Sequence, residues 1–135
     1  MEYVLTAAEM KQCDEQTTTE YGIPSLVLME RAALETARII TGRYGTDISV
    51  GIVAGSGNNG GDGIAIARIL QESGVSVQVH LMGEEAKCTE QTRMQIRAAR
   101  MLDIPIHYGM DNYLYDVIVD AIFGIGISRE IEGKY

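Results

Sequence analysis

The sequence predicts a three-layer α/β/α fold on a mostly parallel sheet, preceded by two N-terminal helices. Three observations carry that expectation. Strand-like and helix-like segments alternate from Ile48 onward, and strands joined through helices pair in parallel. The apolar run Ile48–Ala54 passes straight into Gly55–Gly63, nine residues with five glycines, which open the helical pattern Ile64–Leu70. A further apolar run, Asp116–Ala121, ends in the glycine-bearing segment Gly124–Glu130. Both glycine segments leave carboxyl ends of strands. In open α/β sheets that edge holds the ligand, so the two are expected to face one site.

The elements follow in order. Thr6-Ala7-Ala8-Glu9 has the capping-box pattern, in which a Thr side chain and a Glu three residues on bond each other's backbone N–H groups. It starts a helix through about Glu20, stopped by Tyr21-Gly22-Ile23-Pro24. Ser25 is expected to cap a second helix, Leu26 to about Arg43, with Met29, Ala33, Ala37 and Ile40 recurring at helical spacing as core. After strand Ile48–Ala54 and the glycine loop, a helix over Gly61–Ser73 closes at Gly74. Val75–Leu81 alternates apolar and polar residues and reads as a second strand. Gly83–Lys87 is a polar loop, and Thr89–Leu102 a helix with Met94, Ala98 and Met101 on one face. Ile104–His107 is a short strand, Gly109–Tyr113 a loop, and Asp116–Ala121 a buried strand. Helices are expected on both faces of this sheet. Val117–Ala121 keeps an uncovered flank, and the two leading helices lie outside the α/β core. Together these predict a homodimer.

Composition narrows the function. The chain has 135 residues, 46% of them hydrophobic and 22% charged, which suits one ordinary globular domain. Its formal net charge is −8, which argues against nucleic acid as a partner. No run approaches the ~20 apolar residues of a membrane span. The start Met1-Glu2-Tyr3 lacks the pattern of a signal peptide. Cys13 and Cys88 form no CxxC pair or disulfide framework, and are read as free thiols in a cytoplasmic protein.

The glycine loop carries the chemistry. A strand, a glycine-rich loop and a helix N-terminus make an anion site, because unpaired backbone N–H groups and the positive end of the helix dipole converge there. Gly55-x-Gly57-x-x-Gly60 has the Rossmann spacing. No Lys or Arg occurs from Tyr44 through Ala67, so a phosphate would be held by amides. A valine at Gly60 is expected to fill the space the ligand needs. A nicotinamide dehydrogenase is disfavoured, because an acidic residue should close the second strand. That strand ends His80-Leu81-Met82-Gly83, and Glu84 and Glu85 arrive late. Asp62 is placed near the first turn of its helix, where a carboxylate complements the dipole. Asp120 ends an apolar strand, where a buried carboxylate needs a partner or a cation. With Asn59 it would offer hard oxygen ligands. His80 and His107 read as structural, no zinc spacing is present, and Ser56 lacks the setting of a nucleophile.

Three separated motifs give a resemblance. Leu5-Thr6-Ala7-Ala8-Glu9-Met10 with Asp14, then Tyr21-Gly22-Ile23-Pro24-Ser25-Leu26-Val27-Leu28-Met29-Glu30-Arg31-Ala32, resembles the N-terminal signature of the YjeF N-terminal domain family. Asn58-Asn59-Gly60-Gly61-Asp62-Gly63 resembles its ligand loop, and Val119-Asp120-Ala121-Ile122-Phe123-Gly124-Ile125-Gly126-Ile127 its second signature. The resemblance implies a Rossmann-like domain and NAD(P)H-hydrate epimerase activity. That reaction interconverts the R and S forms of NADHX and NADPHX, nicotinamide cofactors hydrated at C6 of the ring. The resemblance implies substrate contacts at Asn58, Asn59, Gly60, Gly61 and Asp62, and at Gly124, Ile125, Gly126, Ile127, Ser128, Arg129 and Glu130. It implies a potassium ion on Asn59 and Asp120. Glu130 is placed near the reacting ring as the acid/base, with Asp62 in reserve. Family domains continue into a further strand and an Asp-Ile-Pro-Ser-Gly segment, so residues 1–135 are expected to be a C-terminally incomplete domain. The chemistry suits these residues. A carboxyl group protonates the C6 hydroxyl, water leaves, the ring nitrogen stabilises the iminium, and water returns to either face. The alternative is a non-catalytic nucleotide-binding or protein-interaction module of the same fold.

Overall fold

The computed structural model describes residues 3–110 and 112–124. Helix α1 (Ala7–Thr19) opens on the capping box, with the Thr6 N–H donating to Glu9 Oε2 at 2.7 Å and the Glu9 N–H to Thr6 Oγ1 at 3.2 Å. Helix α2 (Ser25–Tyr44) buries Met29, Ala33, Ala37 and Ile40, the stripe expected from its spacing. Ser25 is its first helical residue and Pro24 its cap, so the expected serine cap shifts by one. Proline suits that boundary because its missing N–H would have no helical partner there.

Strand β1 (Ser49–Ala54), helix α3 (Asn58–Glu72), strand β2 (Ser76–Leu81), helix α4 (Glu90–Met101), and strands β3 (Ile106–Tyr108) and β4 (Val117–Ala121) follow. Their pairings are all parallel, in the order β3-β2-β1-β4. The register sets Ala54 against Leu81 on one side and Ala121 on the other, so the carboxyl ends of the central strands align.

Two steps along the sheet, β1 to β2 and β2 to β3, run in one direction. Right-handed crossovers therefore place α3 and α4 on the same face. That face joins Val50, Ile52, Ala54, Val77, Val79 and Leu81 to Ile64, Leu70 and Ile96 in one aliphatic core. The step from β3 to β4 reverses direction and crosses the other face. There Tyr113 and Tyr115 lie beside His80, with ring centroids 4.5 and 5.6 Å away. Helices were expected on both faces. Among the described residues the second face is covered by this tyrosine-bearing loop.

Two expected faces differ from the structure. In α4 the buried residues are Thr92, Gln95, Ile96 and Ala99, while Met94 is 43% and Met101 82% exposed. The helix turns a half-polar stripe inward because Gln95 Oε1 accepts from Arg68 Nε at 2.9 Å and Thr92 bonds the glycine loop. An apolar pattern alone points to the wrong side. Strand β4 is an edge among the described strands, not a buried one, and leaves Ile118 53% exposed. No helix of the described residues is long and apolar enough to cross a membrane.

Candidate functional site

The direction of travel across the sheet reverses between β1 and β4, the switch point beyond whose carboxyl ends open α/β sheets place their ligands. Its two banks are tied together. The Gly55 N–H donates to Ala121 O at 3.0 Å, and Asn59 Nδ2 donates to Phe123 O at 2.8 Å. The backbones approach closely enough that a Cβ on Gly60 would overlap the Gly55 carbonyl, and one on Gly55 would overlap Ile122 O. Gly60 was expected to keep space for a ligand. It keeps space for the protein's own loop.

Helix α3 begins at Asn58, three residues before the expected start. Asn58, Asn59, Gly60 and Gly61 therefore form its first turn rather than a loop. Gly57 is the cap, extended at φ −77° and ψ −177°, with no side chain to satisfy the helix's leading N–H groups. Gly60 N–H and Gly61 N–H both bond Gly57 O, at 3.1 and 3.4 Å. The N–H groups of Ser56, Gly57, Asn58 and Asn59 meet no acceptor among the described residues. Four consecutive donors at the positive end of a helix are suited to an anion without any lysine or arginine.

Asp62 lies in the second turn of α3, beyond the reach expected for a dipole partner. Burial, and then the Asp14 carboxylate of α1, push its carboxyl up to about 6. A group so placed exchanges protons near neutrality, as an acid/base needs. Asp120 was expected to be buried, but it is exposed at the end of β4, where its Oδ1 accepts from the Ile122 N–H at 3.1 Å. Its neighbour across the sheet is Val53. Gly124 is the last described residue of its segment. Ile125, Gly126, Ile127, Ser128, Arg129 and Glu130 lie outside the described residues. Groups of three or more His, Cys, Asp or Glu fit for a metal are absent among the described residues.

Two residues were missed by the sequence reading. Thr89 and Thr92, at the head of α4, bond the glycine loop from behind. Thr92 Oγ1 donates to Gly57 O at 2.8 Å and Thr89 Oγ1 to Asn58 Oδ1 at 2.7 Å. Thr89 had a visible signal, an N-cap position, but its second partner depends on the fold. The two histidines are structural, as expected. His80 is fully buried, with Nδ1 3.0 Å from Gly109 O and Nε2 2.6 Å from Tyr115 Oη. His107 Nε2 lies 2.7 Å from Gln78 Oε1. Cys13 and Cys88 are free thiols, the first exposed and the second buried.

These features define a Rossmann-like α/β protein that, among the described residues, sets unpaired N–H donors at the switch point of its sheet. Residues 25–135 match the family described as YjeF-related protein N-terminus, and the chain belongs to that family. A Levilactobacillus brevis protein named NAD(P)H-hydrate epimerase is 41% identical to it, over 100% of this chain and 63% of the relative. A Weissella koreensis protein of the same name is 44% identical over 96% of this chain and 59% of the relative. The chain thus spans roughly three fifths of the curated relatives it matches. The crystal structure of yeast ynu0 superposes with a TM-score of 0.84 at 23% identity, over 97% of this chain and 60% of that one. At that identity the likeness speaks for the fold.

Proposed function

We infer that the protein acts as an NAD(P)H-hydrate epimerase, interconverting the R and S forms of hydrated NADH and NADPH. The observation that carries this reading is the run of four unpaired N–H groups at the head of α3, with Asp62 one turn further on, in a chain whose relatives bear that name. The N–H groups of Ser56 to Asn59 would take the diphosphate. Amide and dipole binding of this kind needs no basic side chain. Asn58, Asn59, Gly60, Gly61 and Asp62 would contact the dinucleotide from α3, and Gly124 with residues 125–130 from the opposite bank.

Epimerisation needs a carboxyl group that donates a proton to the C6 hydroxyl. The C–O bond breaks, water leaves, and the ring nitrogen's lone pair forms the iminium. Water then adds to either face and returns the proton to the carboxylate. Glu130 is one proposed acid/base and Asp62 the other. Asp62 has support from its setting, because its raised carboxyl is partly protonated near neutral pH.

Asn59 and Asp120 are proposed ligands of a potassium ion. Both offer hard oxygens, and the bond from Asn59 Nδ2 to Phe123 O leaves Asn59 Oδ1 free to face a cation. When bound, the ion would offset the negative charge of the diphosphate. A homodimer through the exposed flank of β4 and a cytoplasmic location complete the reading.

The test is exchange of the R and S forms of NADPHX, followed by chromatography. The wild-type protein should equilibrate them, and failure to do so sinks the epimerase reading. Whichever of Asp62→Asn and Glu130→Gln slows exchange ~10²-fold or more at retained KM identifies the acid/base. Wild-type rates in both variants would remove carboxyl catalysis from the account.

A further inference from the structure

The glycine loop is held from behind by the first turn of α4, and the manner of holding decides which way its polar groups face. The Thr89 N–H donates to Ser56 O at 3.0 Å, Thr92 Oγ1 to Gly57 O at 2.8 Å, and Thr89 Oγ1 to Asn58 Oδ1 at 2.7 Å. Three consecutive oxygens are thereby drawn to α4. The hydroxyls are themselves ordered. Thr92 N–H donates to Thr89 Oγ1 at 3.2 Å, and the two Oγ1 atoms lie 2.9 Å apart. Thr92 is fully buried, whereas Gly57 and Asn58 are exposed. With these oxygens engaged by α4, the N–H groups of Ser56 to Asn59 remain without an acceptor among the described residues. No acceptor meets Asn58 Nδ2 among the described residues.

We propose that Thr89 and Thr92 are positioning residues for the ligand loop, a hydroxyl clamp that fixes its carbonyl oxygens inward and so presents its N–H donors to a phosphate-bearing ligand. The proposal rests on the dinucleotide reading of the same loop. Gly57 O also accepts from Gly60 N–H and Gly61 N–H, so losing the Thr92 hydroxyl leaves no buried carbonyl without a donor. Thr92→Val, which keeps the shape of the side chain, therefore removes one of the clamp's three bonds with little other damage.

Two measurements test it in the whole protein. The first uses no ligand. Backbone ¹⁵N order parameters at residues 56–58 should fall measurably below the rigid value of about 0.85 in Thr92→Val, and return in Thr92→Ser. Unchanged values would overturn the clamp. The second is kinetic. KM for NADPHX should rise about fivefold in Thr92→Val with kcat within about twofold, the loss of one hydrogen bond's worth of positioning. An unchanged KM, or a fall in kcat alone, would overturn the ligand-positioning role. If the wild-type protein does not turn over NADPHX, the epimerase reading fails on its own. The clamp is then judged by titration with inorganic pyrophosphate, which Thr92→Val should bind about fivefold more weakly. Equal affinity of both proteins would reject it.

Discussion

Helices α1 and α3 are built by opposite means. α1 has the stronger local signals, a complete capping box and a Glu in its first turn, yet none of its residues is buried. α3 opens with Asn-Asn-Gly-Gly, has no side-chain cap, and buries nine residues, among them Ile64, Ala67 and Leu70. Their carboxylates report the same contrast. The Thr6 N–H and hydroxyl hold the Glu9 carboxyl below the usual range in open water, whereas burial lifts Asp62. Local signals suffice to write a helix at the surface. Tertiary contacts can write one from residues that disfavour it. The weak formers suit α3 because a Cβ at Gly60 would overlap the Gly55 carbonyl and one at Gly63 would overlap Ala121 of β4.

The largest effect should come from the closest approach. Gly60→Val would drive a Cβ into the Gly55 carbonyl, and backbone cannot yield as a side chain can. A loss of about 4 kcal/mol or more is expected, seen as a collapse of the denaturation midpoint. Gly57→Ala meets nothing within 4 Å and should stay within about 0.5 kcal/mol. Equal stability of the two variants would break the account of α3 as a helix shaped by contact.

A smaller effect is expected at Asp62, and its sign depends on pH. The folded carboxyl titrates at about 6 against an ordinary 3.8, so the native state holds a proton that the unfolded chain has released. Stability from this group is present below the unfolded value and is lost as pH rises through about 6. Asp62→Asn should therefore stabilise the protein by about 1 kcal/mol at pH 8, after allowance for solvent screening, and by nothing measurable at pH 3. Thermal melts at the two pH values check it. A gain that does not change with pH would show that burial and Asp14 do not act through ionisation.

The smallest global effect belongs to α1. Thr6→Ala removes one half of the capping box, worth ~1 kcal/mol to the helix. Because α1 buries no residue, the cost should be confined to fraying of α1, seen as faster amide exchange there, with the global midpoint unmoved. A fall in the global midpoint would mean that α1 supports the core after all.

The alternation of apolar runs and glycine-bounded helices determined the parallel α/β class, and the stripe Met29, Ala33, Ala37 and Ile40 determined the buried side of α2. Both are period signals along a single element, and the chain carries them locally. The glycine loop likewise marked a place of close approach, since a Cβ at Gly55, Gly60 or Gly63 would overlap neighbouring atoms of the protein. The fold decided what depends on neighbours distant in sequence. It set the start of α3 at Asn58, where Thr92 and Thr89 at the head of α4 bond Gly57 O and Asn58 Oδ1. It turned Thr92 and Gln95 of α4 inward instead of Met94 and Met101, because Gly57 and Arg68 supply polar partners that no periodicity reveals. It left Asp120 exposed on β4, an edge among the described strands, since strand order is not written in any one strand. It gave Asp62 its raised carboxyl, because its burial and the nearness of the Asp14 carboxylate exist only in the folded chain.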